Sequence, residues 1–229
     1  MRPVVKGPAP QPEYKPYGDA LDDLAAQLGL FCSYCEQPIT HAPEIEHVQP
    51  KSLEAGLEFS WENFLLGCKS CNTVKGNTPV DVTLVGFPDM DNTFRGLDFH
   101  SDGKISIKMG LEEDQTELMS ATVRLIKLHR HPSEPAAQDR PTRRDKRAEL
   151  RRDVWEVATY VLGRYQADGT IADLIAEHLA PAKGFFSVWM TVFADHPEML
   201  NRFIDAFPGT ARDCFNEDGQ SQARPGGRL

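Results

Sequence analysis

Two Cys-x-x-Cys pairs, Cys32/Cys35 and Cys68/Cys71, lie 32 residues apart in the chain. A tight Cys-x-x-Cys turn points two thiolates at one ion, and two such turns complete a closed four-thiolate zinc site. A redox dithiol is the main rival, but it needs only one pair, normally within a thioredoxin-like βαβ unit. The fifth cysteine, Cys214, stands alone, and an odd count argues against a disulfide framework. The segment between the pairs carries groups that a purely structural ribbon does not need. Glu46 and His47 stand in "IEHVQPKS" and Asn63 in "WENFLLGC"; Asn72, Lys75 and Asn77 follow the last cysteine. An imidazole titrates near neutrality and can take a proton from water. An acid and an amide offer oxygen to a hard divalent cation, which can neutralise charge at a phosphate. Together they are the parts that phosphodiester hydrolysis requires.

The elements that must position these groups are short. "DALDDLAAQLG" sets Leu21, Leu24, Ala25 and Leu28 at helical spacing, with Gly29 as its stop. Short strands, a loop and a short helix are expected over about 30–78. Residues 79–110 read as β-like or irregular: "VDVTLVGF" and "GKISIKM" alternate, and Asp102-Gly103 suits a hairpin turn. From about 111 the periodicity is helical, through Leu118, Leu125, Leu150, Val154 and Val161. "TIADLIAEHLA", "GFFSVWMTVFA" and "PEMLNRFIDAF" read as three further helices, the last with Pro197 in its first turn. The expected fold is α+β, a zinc-stapled unit of short strands, a loop and a short helix followed by a mainly helical C-terminal half. It divides into a Pro-rich arm and short helix (1–29), the zinc-stapled region (30–110), the helical region (111–215) and a flexible tail (216–229).

"CSYCE", "IEHVQPKS" and "WENFLLGCKSCNTVKGN" together resemble the HNH endonuclease family, whose ββα-metal finger is two strands, a loop and a helix around one divalent ion. The match covers about 32–77. It looks most like the branch that includes the HNH component of Septu and related retron anti-phage systems. The resemblance implies roles by position. His47 matches the general base and Glu46 the acidic metal ligand before it. Asn63 matches the amide that braces the loop carrying His47, and Asn72 the last metal-ligand position. Many members have His where Asn72 stands; an oxygen ligand there favours Mg²⁺ or Mn²⁺. Glu44 shares a strand face with Glu46 and is either a supporting acid or a substitute ligand. Lys51 and Lys75 are expected at phosphates, with solvent-exposed lysines the plain alternative. The resemblance further implies an effector nuclease in anti-phage defence with an ABC-type ATPase partner. This chain has no Walker-type loop of its own.

Net charge is −9 over 229 residues, an awkward balance for a protein that touches nucleic acid. The charge is uneven: residues 12–65 hold ten acids against two cations, whereas 124–152 hold ten cations against four acids. No apolar run approaches membrane-spanning length, and the N-terminal residues lack a secretory apolar centre, so a cytoplasmic protein is expected. The resemblance implies DNA as the substrate, with RNA open because nothing in the motif reads a 2′-hydroxyl. The competing reading is a non-enzymatic, zinc-stabilised adaptor, which would keep the four cysteines and have no use for His47 or Asn72.

Overall fold

The chain opens with α1 (Leu21–Leu28), whose Leu24 and Leu28 are fully buried and which stops at Gly29 in the left-handed region, φ 69°. Strand β1 (Glu44–His47) then pairs antiparallel with β2 (Phe64–Gly67), setting Glu46 opposite Leu65 and His47 opposite Phe64. Every residue of β2 is buried, as expected of a strand covered on both faces. Helix α2 (Lys69–Lys75) follows at once, with Cys68 as its N-cap: the Cys68 Sγ accepts from the Cys71 N–H. This β1–β2–α2 unit is the expected ββα finger, and the mixed α+β class is as the sequence indicates. The computed structural model describes residues 1–229.

A second hairpin, β3 (Leu97–Phe99) and β4 (Ile105–Ile107), turns at Asp102-Gly103. Gly103 has φ 86°, and a Cβ there would lie 2.1 Å from the Ala148 carbonyl oxygen, so only glycine fits. "VDVTLVGF" forms turns rather than the alternating strand expected, because Asp81 accepts from both the Thr83 N–H and hydroxyl and closes a local turn. Helix α3 (Glu113–Leu125) starts with a capping box between Glu112 and Gln115. The long α4 (Arg147–Ala167) leads to a π-helical stretch, Leu174–Leu179, continuing into α5 (Ala180–Lys183). Two further helices complete the bundle, α6 (Phe186–Val192) and α7 (Pro197–Ala206), the latter with Pro197 in its first turn.

Two hydrophobic cores result, one around the finger and α3, the other among α4 to α7, with Phe94 and Trp155 packed against both. Polar ties reinforce the joint. Buried Glu36, one residue past the first cysteine pair, accepts from the Ser187 N–H (2.9 Å) and hydroxyl (2.5 Å) at the start of α6. The residues expected to be a free arm are extended but pinned. Val4 bridges to Thr210, Arg2 donates to the Leu28 and Phe207 carbonyls, and the Lys6 ammonium donates to the Trp61 and Phe64 carbonyls beside Asp89. The tail differs from expectation in the same way. Arg228 pairs with buried Asp91 at 2.6 Å and donates to the Val82 and Thr83 carbonyls, and Leu229 is buried. Polar, Gly-rich composition suggested mobility there; two arginines aimed at backbone carbonyls hold the segment instead.

Candidate metal centre and catalytic cleft

The four sulfurs of Cys32, Cys35, Cys68 and Cys71 all lie within 4.8 Å of one another, and all four residues are buried. Zn–S bonds of about 2.3 Å at tetrahedral angles place sulfurs about 3.8 Å apart. The Cys35–Cys68 separation is 3.7 Å. The donor set therefore fits zinc in a closed, structural site. In the metal-free protein, hydrogen bonds from Cys32 and its neighbours hold the Cys68 thiol down, while burial pushes Cys35 well up. Zinc would displace the remaining protons as it binds.

Four thiolates and one Zn²⁺ carry two negative charges, which is costly in a buried site unless met by cations. The first turn of α4 brings two. Arg147 is buried; its Nη1 donates to the Cys71 sulfur (3.3 Å) and the Ile126 carbonyl (2.8 Å), its Nη2 to the Lys127 carbonyl, and it pairs with Asp145 at 2.8 Å. Arg151 is also buried and donates through Nε to the Gly103 carbonyl, while its Nη1 has no hydrogen-bond partner. Burial draws Arg151 down to about 10, against the pull of the Cys35 thiolate. Sequence reading did not single out either arginine. Apart from Asp145, two residues before Arg147, their partners are 20 to 76 residues away, so no local spacing signals them.

His47 closes β1 with its ring edge-on to Tyr17 and Phe64, centroids 4.9 and 5.1 Å away. Its Nε2 lies 3.0 Å from the Glu58 carbonyl oxygen, which can only accept, so Nε2 carries the proton. Nδ1 is then the basic nitrogen; it makes no hydrogen bond and is not sealed from solvent. Burial lowers the His47 pKa below its usual 6.5, keeping the ring neutral near pH 7. The loop carrying the Glu58 carbonyl is tied by Asn63. Its Oδ1 accepts from the Gln49 N–H (2.8 Å), and its Nδ2 donates to the Gln49 and Leu57 carbonyls (2.9 and 3.2 Å). Lys51 stands over the Tyr17 ring at 4.0 Å and 3.7 Å from Glu58, with its ammonium exposed at the mouth of the site.

On the other face of the hairpin, Gly67 leaves a gap. A Cβ there would lie 3.2 Å from the Glu46 Cβ and 3.7 Å from the Asn72 Cβ, so the missing side chain opens the space between them. Glu44 Oε2 accepts from Asn72 Nδ2 at 2.6 Å, which orients the carboxamide and leaves Asn72 Oδ1 free. These two line a cleft of about 380 Å³ with Tyr17, Leu21 and Lys69. Glu46 is 2% exposed; its Oε1 pairs with Lys75 at 2.7 Å and accepts from Tyr34 at 3.3 Å, while Oε2 makes no bond and is not sealed off. Burial pushes Glu46 up to about 7 even with Lys75 beside it. The free oxygens of Glu46 and Asn72 are hard donors that suit a divalent cation. Lys75 differs from expectation. It is 1% exposed and donates to the His47 carbonyl at 2.6 Å, so its ammonium faces inward, away from any phosphate. A phosphate contact or a solvent-exposed lysine was expected; the acid at Glu46 draws it inside.

A larger recess of about 570 Å³ lies behind Asn63, between Lys6, Gln49 and Trp61. Another, between Phe94, Met109 and Met190, contains none of the site residues. No helix is long and apolar enough to cross a membrane.

A family model described as HNH endonuclease matches residues 32–78, from the first cysteine to just beyond α2. The four-cysteine cluster fits the same family, and the match points to a nuclease that binds nucleic acid. A search of curated proteins returned no match.

Proposed function

We propose that this chain is a divalent-metal-dependent endonuclease that hydrolyses phosphodiester bonds, with His47 as general base. The observation that carries the reading is the His47 tautomer: with Nε2 committed to the Glu58 carbonyl, an unengaged Nδ1 lone pair stands at the open end of β1. The roles of Glu46 and Asn72 as cation ligands are supported by their unengaged oxygens across the gap at Gly67. A Mg²⁺ or Mn²⁺ ion held there would neutralise charge on the phosphate and on the departing oxygen.

The chain's own residues do the rest. His47 Nδ1 takes a proton from water, whose oxygen forms a bond to phosphorus as one P–O ester bond breaks; the departing oxygen ends protonated. Asn63 fixes the loop that fixes the His47 tautomer, so it is a positioning residue. Lys51, whose ammonium is exposed beside Glu58, would meet a phosphate oxygen. DNA is the proposed substrate. The resemblance to anti-phage nucleases supports a further part of the proposal, an effector subunit acting beside a separate ATPase, which co-purification with neighbouring gene products would test.

Incubation of plasmid and total RNA with the protein in Mg²⁺, Mn²⁺ or chelator tests the core of the reading. Metal-dependent cleavage is expected. His47→Ala should lose on the order of 10²–10⁴-fold in rate, the usual contribution of a general base. Equal cleavage by His47→Ala would remove the assignment, and a zinc-stabilised adaptor would then account better for the fold.

A further inference from the structure

Some exposed cations in this chain have a hydrogen-bond or ion-pair partner, and Lys15, Lys108, Arg164 and Lys183, which have none, stand singly along the sequence. Lys69 meets Glu44, Lys104 meets Glu134, Lys146 meets Glu149, Arg152 meets Asp153, and Arg140 is bonded to two carbonyls. Arg124, Lys127, Arg143 and Arg144 are exposed and make no side-chain hydrogen bond or ion pair. They fall on two segments, the end of α3 and the approach to α4, that Arg147 rivets together by donating to the Ile126 and Lys127 carbonyls. The acids of this stretch are engaged elsewhere: Asp145 by Arg147, Glu149 by Lys146, Asp139 by His129 and Glu134 by Lys104. A protein of net charge −9 thus keeps four uncompensated cations at one junction.

The backbone adds a second observation. Lys127 has φ 49°, the left-handed conformation that commonly ends a helix and that glycine adopts without strain. The turn is formed, with the Leu128 N–H donating to the Val123 carbonyl. The chain carries a lysine where local stability favours glycine.

Placement indicates the partner. Cys71 and Asn72 are successive residues of α2: Asn72 is bonded to Glu44 at the cleft, and Cys71 is bonded to Arg147. The cleft and the cationic junction therefore flank α2 on different sides. An α-helix with its side chains is about 10–12 Å across, close to the roughly 12 Å major groove of B-DNA. A duplex offers two phosphate rows, one to each flank of such a helix, whereas a single strand offers one.

We propose that Arg124, Lys127, Arg143 and Arg144 form a track for the phosphate backbone of duplex DNA, holding the strand opposite the one presented to the Glu44–Asn72 cleft. The proposal rests on the nucleic-acid reading of residues 32–78 but not on the catalytic role of His47.

The test is fluorescence anisotropy of a labelled DNA duplex with the full-length, zinc-loaded chain carrying His47→Ala, titrated over a range of NaCl. Each phosphate contact contributes about 0.9 to the slope of log K against log [salt] on B-DNA. Removing all four cations (Arg124→Gln, Lys127→Gly, Arg143→Gln, Arg144→Gln) should flatten the slope by about 3 to 4 and weaken binding alike for unrelated sequences. Lys127→Gly alone should flatten it by about 0.9 while leaving the melting temperature equal or higher, which separates lost charge from lost fold. An unchanged slope, no duplex binding by the parent protein, or equal losses on single-stranded DNA and duplex would each overturn the track. Failure of the catalytic reading would show instead as cleavage by His47→Ala, with the slope change intact.

Discussion

Lys75→Met separates two roles that one lysine could play, a phosphate contact or an internal counter-charge. The geometry favours the second: the ammonium is 1% exposed, 2.7 Å from Glu46 and 2.6 Å from the His47 carbonyl oxygen. Methionine keeps most of the stem volume and removes the charge. Glu46 would then lie 2% exposed with only the Tyr34 hydroxyl for support at 3.3 Å. Glu46 already sits up at about 7 beside Lys75, so near neutral pH it would answer the loss by taking a proton; in alkaline buffer the charge is left uncompensated, at up to about 3–5 kcal/mol. For a chain of this size each kcal/mol shifts the melting temperature by about 2–4 °C, so a fall of up to roughly 6–20 °C is expected at alkaline pH. Glu46→Gln on the Lys75→Met background removes the stranded charge and should recover much of that fall. Thermal melts of the zinc-loaded proteins in alkaline buffer measure both. The reasoning is refuted if Lys75→Met melts within about 2 °C of the parent while its DNA-binding slope drops; Lys75 would then be a phosphate contact.

Three other outcomes follow from the same geometry. The His47 pKa is lowered, chiefly by burial, so the neutral base persists below the usual 6.5. Cleavage under subsaturating substrate should fall on acidification with a midpoint under pH 6.5, and stability should fall in the same direction, because the unfolded state binds that proton more readily; a midpoint at or above 6.5 contradicts the argument that burial dominates at His47. Asn63→Ala strands the Gln49 N–H and the Gln49 and Leu57 carbonyls. It should cost about 2–3 kcal/mol at roughly 1 kcal/mol per lost bond, and lower turnover at saturating substrate more than it changes KM, as kinetics on the folded fraction would show. Arg147→Ala leaves Asp145 buried without its main partner, at about 3–5 kcal/mol, and should speed zinc transfer to a chromophoric chelator; Arg147→Lys should not restore the slow rate, since an ammonium cannot reproduce the planar fork.

What could be read from the sequence was what is local. Cys-x-x-Cys turns, the helix ending at Gly29 and the hairpin at Asp102-Gly103 each depend on a few adjacent residues, and they stand where the spacing put them. Short strands and a helix were legible from the apolar runs around the cysteine pairs, and the ββα order from the resemblance to the HNH family. What could not be read is set by distant pairing. Nothing adjacent to Lys75 says that its charge turns inward; that depends on Glu46, 29 residues earlier in the chain and brought beside it by the hairpin. Lys6 was read in an extended arm and Arg228 in a flexible tail, yet both end on acids or carbonyls contributed by other segments. Glu44 was legible as a strand-face neighbour of Glu46, but its bond to Asn72 needed the angle at which α2 leaves β2.

The two halves of the molecule meet at the metal centre, and this gives the zinc a reach beyond the finger. Cys71 belongs to α2, which carries Asn72 at the cleft, and its sulfur accepts from Arg147, the first residue of α4. The same guanidinium holds the end of α3 through the Ile126 and Lys127 carbonyls. Loss of the metal would leave the cluster unable to keep four thiolates, since like charges this close favour protonation. The charge that holds Arg147 and Arg151 in a buried setting would fall with it. Chelation should therefore loosen not only β1, β2 and α2 but also the α3–α4 junction, which an independently folded helical half would not do. Hydrogen exchange of the holo and chelated protein distinguishes these cases: faster exchange confined to residues 32–78 would show that the helical half stands without the ion, and faster exchange extending through 124–151 would show that one ion organises the catalytic cleft and the basic junction together.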